Sequence, residues 1–348
     1  MKKLAEEPAI LSMAHSLGVH EGDPVEGIKK FCREKVYHLL KGADRPIHCI
    51  EDLEMLLCEK LHITIIEVWT DDDLSAVIEK YARQEKELGF AALRADLDSE
   101  TFATLLRRLK KSDSGEDRYV AIIDCRGDKG SKRFFTRWHE IAHVLTQFEQ
   151  LQFPLHRSTI KKDPVEKMMD LIAGDIGFLD ELFTPILQSA IVGRDRLTFA
   201  GVESVRGFFC PSASLEATLN ACANRIQAPL IVVQAALGFK KDEERLINSP
   251  QGELLPMPKP EAQLRVVSAV SNNTARAQRL SIPTRMRVPK GSIITRAFNS
   301  IAEFESMTAE ENLNWWRSSD RPALSHAPVH VEAMRVRDRV WAIISATR

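Results

Sequence analysis

The sequence predicts an α+β protein built as more than one domain, and three features of the chain carry that expectation. Apolar residues spaced by three and four alternate with short β-branched runs through the first half. Four prolines crowd into Ser249 to Glu261, the strongest linker signal in the chain. Beyond them, β-branched and alternating stretches take over, which predicts a separate α+β domain over 262–348. The 348 residues, 44% hydrophobic and 28% charged, have the composition of an ordinary globular protein and exclude a disordered or collagen-like chain.

Taken in order, Asp23-Pro24 opens the first clear helix, with proline where the missing N–H costs nothing. Ile28, Phe31, Cys32, Val36, Leu39 and Leu40 then repeat at helical spacing, and Ile50 to Leu61 shows the same period. His62 to Val68 is β-branched and bounded by Thr70-Asp71-Asp72-Asp73, which predicts a strand. Helices are expected around 75–87 and 98–110, and the charged segment Lys110 to Asp117 reads as an exposed loop. Tyr119 to Asp124 is the clearest strand of the first half, followed by the loop Arg126 to Gly130. A helical pattern runs from Phe134 to about Gln150, and Asp163-Pro164 opens another expected to reach about Phe183. Residues 195–240 read as helical stretches broken at Cys210-Pro211-Ser212. In the tail, Leu264 to Val270, Ser281 to Val288 and Val329 to Ile344 read as strands. The expected organisation is a first domain over 1–190, a helical region over 191–248, a linker over 249–261 and a last domain over 262–348.

A formal charge of −1 gives the whole chain no pull toward nucleic acid, so any such surface must be local. The tail over 262–348 does carry an excess of Lys and Arg over Asp and Glu. The start, MKKLAEEPAI, lacks the apolar stretch of a secretory signal, and no run is long and apolar enough to span a membrane. Cysteines at 32, 49, 58, 125, 210 and 222 form no CxxC pair, which fits reduced thiols and a cytoplasmic location.

Chemistry concentrates in His139-Glu140-Ile141-Ala142-His143, an HExxH on a segment with helical period. Residues four apart share a helix face, so both imidazoles can reach one Zn2+ ion while Glu140 lies beside them to move protons. A catalytic zinc also needs a third protein ligand and a position left for water. Thr146 and Glu149 stand where a metzincin would have Gly and His, so that subclass is excluded. The better candidate for the third ligand is Glu166, with Asp170 one turn later placed to orient a ligand imidazole. A second reading stays open, in which Asp163 caps the helix and Glu166 completes a capping box at its third position.

These residues resemble a known family. Arg133 to His143 is similar to the "RFTxAHELGH" signature of the ImmA/IrrE metallopeptidases, and Glu166 to Ala173 to that family's "ExEANxFAA" helix. The strands at His62 to Val68 and Tyr119 to Asp124 are similar to those that precede its zinc helix. The resemblance is strong over 119–180 and diffuse over 23–118, and it departs where Ile176-Gly177-Phe178-Leu179-Asp180 replaces the usual "LLMP". It implies a zincin-like fold with one zinc per chain, and an endopeptidase that cleaves a partner helix-turn-helix transcriptional repressor. Cleavage would relieve repression in response to a signal such as DNA damage, single-stranded DNA or phage infection.

The family also often carries a helix-turn-helix after its core, which Gly201 to Leu219 resembles, and a GAF-like sensor domain where residues 262–348 stand. No Lys or Arg lies between Ser214 and Asn224, so packing explains those helices better than reading DNA, although a non-enzymatic DNA-binding regulator is the rival function. Tyr119, Arg133 and His156 are candidate donors to a developing oxyanion. Cys125, at the end of a strand, is either a small packing residue or an inhibitory fourth zinc ligand. In the tail, Arg285, Arg287, Arg335 and Arg337 are candidate contacts for single-stranded nucleic acid or a small anionic ligand, against the alternative of a solvated sheet face.

Overall fold

The first long helix, Pro24–Lys41, starts where the Asp23 carboxylate accepts the amide hydrogens of Val25 and Glu26, and it buries Ile28, Cys32 and Val36 completely. The helix Ile50–Leu61 follows, closed by His62 in the left-handed region at φ 56°. In this computed structural model the described residues are 2–20, 22–108, 118–146, 155–158, 163–191, 196–247, 260–317, 324 and 326–346. The expected Lys110 to Asp117 loop lies outside them, as does the expected linker except its last two residues. The chain divides into two compact units, Met1–Ile186 with Arg206–Ala217, and Leu187–Val205 with Thr218–Arg348.

The first unit holds a four-stranded sheet made of β1 (Ile63–Val68), β2 (Thr101–Arg107), β3 (Tyr119–Asp124) and β4 (Leu155–Ser158), in the order β1-β3-β2-β4. β1 runs parallel to β3, with Ile63 opposite Tyr119, while β2 is antiparallel to both β3 and β4. One face packs Val68, Leu74, Tyr81, Phe90, Leu106 and Ile122. The helix expected around 98–110 is corrected to β2. Residues 101–106 are buried on both faces, so this inner strand reads as one apolar run that periodicity cannot tell from a buried helix.

The helix Arg133–Thr146 lies against the sheet and packs against Pro164–Ile176. Arg33 Nη1 stands 2.6 Å from Asp175 Oδ2, which ties the second of these helices to Pro24–Lys41. The helix expected to continue to Phe183 instead stops at Ile176, and a new one runs Asp180–Ile191. Gly177 caps the first of them, packed closely enough that a Cβ there would lie 2.8 Å from the Ala173 carbonyl oxygen and 2.9 Å from Trp138 Cγ. Gly177→Ala should therefore lower stability by about 1–3 kcal/mol, the cost of overpacking a filled core, read as a lower denaturation midpoint at unchanged slope.

The second unit holds β5 (Leu230–Gly238), β6 (Gln263–Ser271), β7 (Ser306–Asn312), β8 (Pro328–Val336) and β9 (Arg339–Ala346) in a fully antiparallel sheet ordered β6-β5-β9-β8-β7. Ile231, Val266, Ile293, Trp316, Val331 and Ala342 belong to its core. The helices Phe199–Phe209 and Leu215–Arg225 form as expected, but 230–238 is strand where helix was read. β5 is flanked by β6 and β9, and the burial of both its faces hides the period of two. The sheet thus draws on chain from before the proline-rich segment. The expected strand over Ser281 to Val288 reduces to one bridge, Arg265 with Arg287, because Arg285 turns the backbone at φ 65°. The polar β7 carried no strand pattern. Among the described residues, no helix is long and apolar enough to cross a membrane.

Candidate metal centre

The HExxH segment is helical, and it is deeply buried: His139 is 1% exposed, Glu140 1% and His143 3%. His143 Nε2 lies 3.2 Å from His139 Nε2, His139 Nε2 lies 3.0 Å from Glu166 Oε2, and His143 Nε2 lies 3.4 Å from Glu166 Oε1. The competing role for Glu166 is settled by the helix start, because Asp163 caps alone by accepting the Val165 amide at 2.8 Å. Glu166 turns instead to the two histidines.

These three residues are the group that can hold a metal ion among the described residues, their donor atoms all within 4.8 Å of one another. The spacing fits: ligands about 2.0–2.1 Å from a tetrahedral ion stand about 3.3 Å apart. Burial alone would raise the Glu166 carboxyl, but hydrogen bonds to His139 and His143 outweigh it and hold the group well below the usual carboxylate range. The site therefore gathers a carboxylate and two imidazole rings around one point, a donor set that suits a divalent cation.

Asp170 Oδ1 lies 2.9 Å from His139 Nδ1, so the carboxylate accepts the ring N–H and leaves Nε2 as the donor to a metal. His143 Nδ1 is buried and has no hydrogen-bond partner among the described residues, so this orienting contact serves the first histidine only. Asp170→Asn should weaken metal affinity by about 10–100-fold, measured by competition with a chelator, and an unchanged affinity would remove Asp170 from that role.

Among the described residues, Cys125 is not part of this donor group. It is buried, and burial pushes its thiol up to about 11, with Glu67 adding to the rise and Arg133 opposing it. Its sulfur is not among the donor atoms that gather at His139, His143 and Glu166. Arg133 Nη1 donates to the Gly130 carbonyl at 3.3 Å, and the guanidinium sits over the Trp69 ring at 5.4 Å. Tyr119 begins β3 with Arg118 over its ring, and His156 is on β4 opposite Thr104. In the second unit Arg285 pairs with Glu244 at 2.8 Å, and Arg287 forms the bridge to Arg265. Arg335 donates to the carbonyls of Phe298 and Arg337, which makes it a tie within the fold, and Arg337 turns the β8–β9 hairpin at φ 57°.

One residue that the sequence reading passed over is Arg137. Its Nη1 is 2.9 Å from Glu67 Oε1, its Nε is 3.3 Å from Glu54 Oε2, and its Nη2 donates to Ser212 Oγ at 3.3 Å. A cation inside an otherwise buried helix was the available signal, but its partners are scattered along the chain. No protein-family model and no curated protein matches the sequence.

Proposed function

We propose that the chain is a zinc-dependent endopeptidase, a reading carried by the convergence of His139, His143 and Glu166 on the helix face beside Glu140. Two imidazoles and one carboxylate with a further position for water are the usual donor set of a hydrolytic zinc. When bound, the metal supplies a Lewis acid for the scissile carbonyl and lowers the pKa of an attacking water. Glu140, about 100° round the helix from His139, takes the proton of that water and returns it to the leaving amine. Asp170 keeps His139 in the tautomer and ring orientation that binding needs.

The resemblance to ImmA/IrrE metallopeptidases supports a substrate class: a helix-turn-helix transcriptional repressor, cut so that repression ends under a signal such as DNA damage, single-stranded DNA or phage infection. A cytoplasmic location follows from that substrate. Residues 262–348 are the proposed GAF-like sensor, with single-stranded nucleic acid or a small anion as its ligand at Arg285, Arg287, Arg335 and Arg337. The rival DNA-binding function draws little support, because Leu215 to Asn224 carries no basic side chain.

The test is co-expression with the repressor encoded beside this chain. Cleavage at one position, abolished by a metal chelator and restored by zinc, is the expected result. An intact repressor in the presence of soluble zinc-loaded protein, under each of the named signals, would overturn the reading.

A further inference from the structure

The helix that carries the metal donors has a second charged cluster on its other side. Arg137 precedes His139 by two residues, about 200° round the helix, and its guanidinium reaches Glu54 of helix Ile50–Leu61, Glu67 of β1 and Ser212. We propose that Arg137 is a positioning residue of the metal centre, fixing the rotation of the helix that presents His139, Glu140 and His143. The inference rests on the metal-binding reading given above.

Apolar packing, which supplies most of this helix's contacts, has no preferred direction. A metal site, by contrast, needs its donors held to about 0.2 Å. Glu166 and Asp170 fix the helix from the donor side. Arg137 fixes it from the opposite side, where its planar guanidinium donates to Glu67 and Ser212 and pairs in charge with Glu54, restricting rotation as an aliphatic side chain cannot. The arrangement also carries a desolvation cost, since the side chains of Arg137 and Glu54 are each only 16% exposed. Packing alone would be met as well by an apolar residue of similar volume.

Glu54 provides a way to separate positioning from stability. Burial pushes its carboxyl up to about 7, with Arg137 opposing the rise and Glu51 and Glu67 adding to it. An acid raised in the folded state stabilises the fold at low pH and loses that contribution as pH rises through about 7. Near pH 8 the ionised Glu54 is therefore unfavourable for the fold while it holds Arg137. Glu54→Gln removes the charge at every pH.

The experiment is zinc titration of the full-length apo protein against a competing chelator, near pH 8 and near pH 6, with a thermal melt of each apo protein. Arg137→Ala should weaken zinc by roughly 10–100-fold, and Arg137→Lys should recover part of the loss. Glu54→Gln should weaken zinc near pH 8 while its apo melting temperature equals or exceeds that of the wild type, and near pH 6, where the folded Glu54 is mostly protonated, the affinity difference should shrink while the stability difference narrows. A purely structural Glu54 would not lower affinity while stability rises. If Arg137→Ala does not fold, Glu54→Gln decides. Wild-type zinc affinity in both variants near pH 8 would overturn the positioning role alone, whereas a wild-type protein that takes up no zinc would overturn the metal reading and this inference with it.

Discussion

Glu140→Gln should retain the metal content and melting temperature of the wild type and lose repressor cleavage by a factor of about 10²–10⁴, the usual contribution of a general base. The substitution keeps the shape of a side chain that is 1% exposed. It removes only the ability to take a proton, and a neutral amide is no harder to bury than a carboxylate. His139, His143, Glu166 and Asp170 keep their mutual contacts, so binding and catalysis separate cleanly. A variant that cuts the repressor at the wild-type rate would place the chemistry elsewhere.

His139→Ala should have the larger effect on the protein itself. It deletes one donor, strands Asp170 without its ring N–H, and leaves Glu166 facing a single imidazole. Zinc content should fall from one per chain to near zero, and cleavage should fall with it. Because an ion that binds only the folded state stabilises it by about 2.7 kcal/mol at a hundredfold excess over Kd, a chelator should lower the melting temperature of the wild type. The same chelator should leave the variant's melting temperature where it was. A chelator response shared by both proteins would mean that the ion sits outside this cluster.

The metal helix was legible in the sequence because its signal is local: two histidines one turn apart place both rings on one face whatever surrounds them. Glu166 was only half legible. Its spacing from Asp163 suits a capping box as well as a ligand, and the side chain's direction decides between them. The two inner strands, β2 and β5, were read as helix for a shared physical reason, since burial on both faces erases the alternation that marks a strand. Arg137 was hidden differently. Glu54, Glu67 and Ser212 stand in three distant segments, so no local spacing announces their meeting. The arginines of the tail show a different limit: their alternation along the strands was legible, but that Arg335 donates to backbone carbonyls and Arg285 pairs with Glu244 depends on distant chain.

The most direct test of the central claim is X-ray absorption at the zinc edge on the metal-loaded full-length protein, with metal content measured on the same sample. The account predicts one zinc per chain in a shell of nitrogen and oxygen neighbours at about 2.0–2.1 Å, reduced in amplitude or lost in Glu166→Ala. A shell containing sulfur at about 2.3 Å, or zinc retained unchanged in Glu166→Ala, would contradict it.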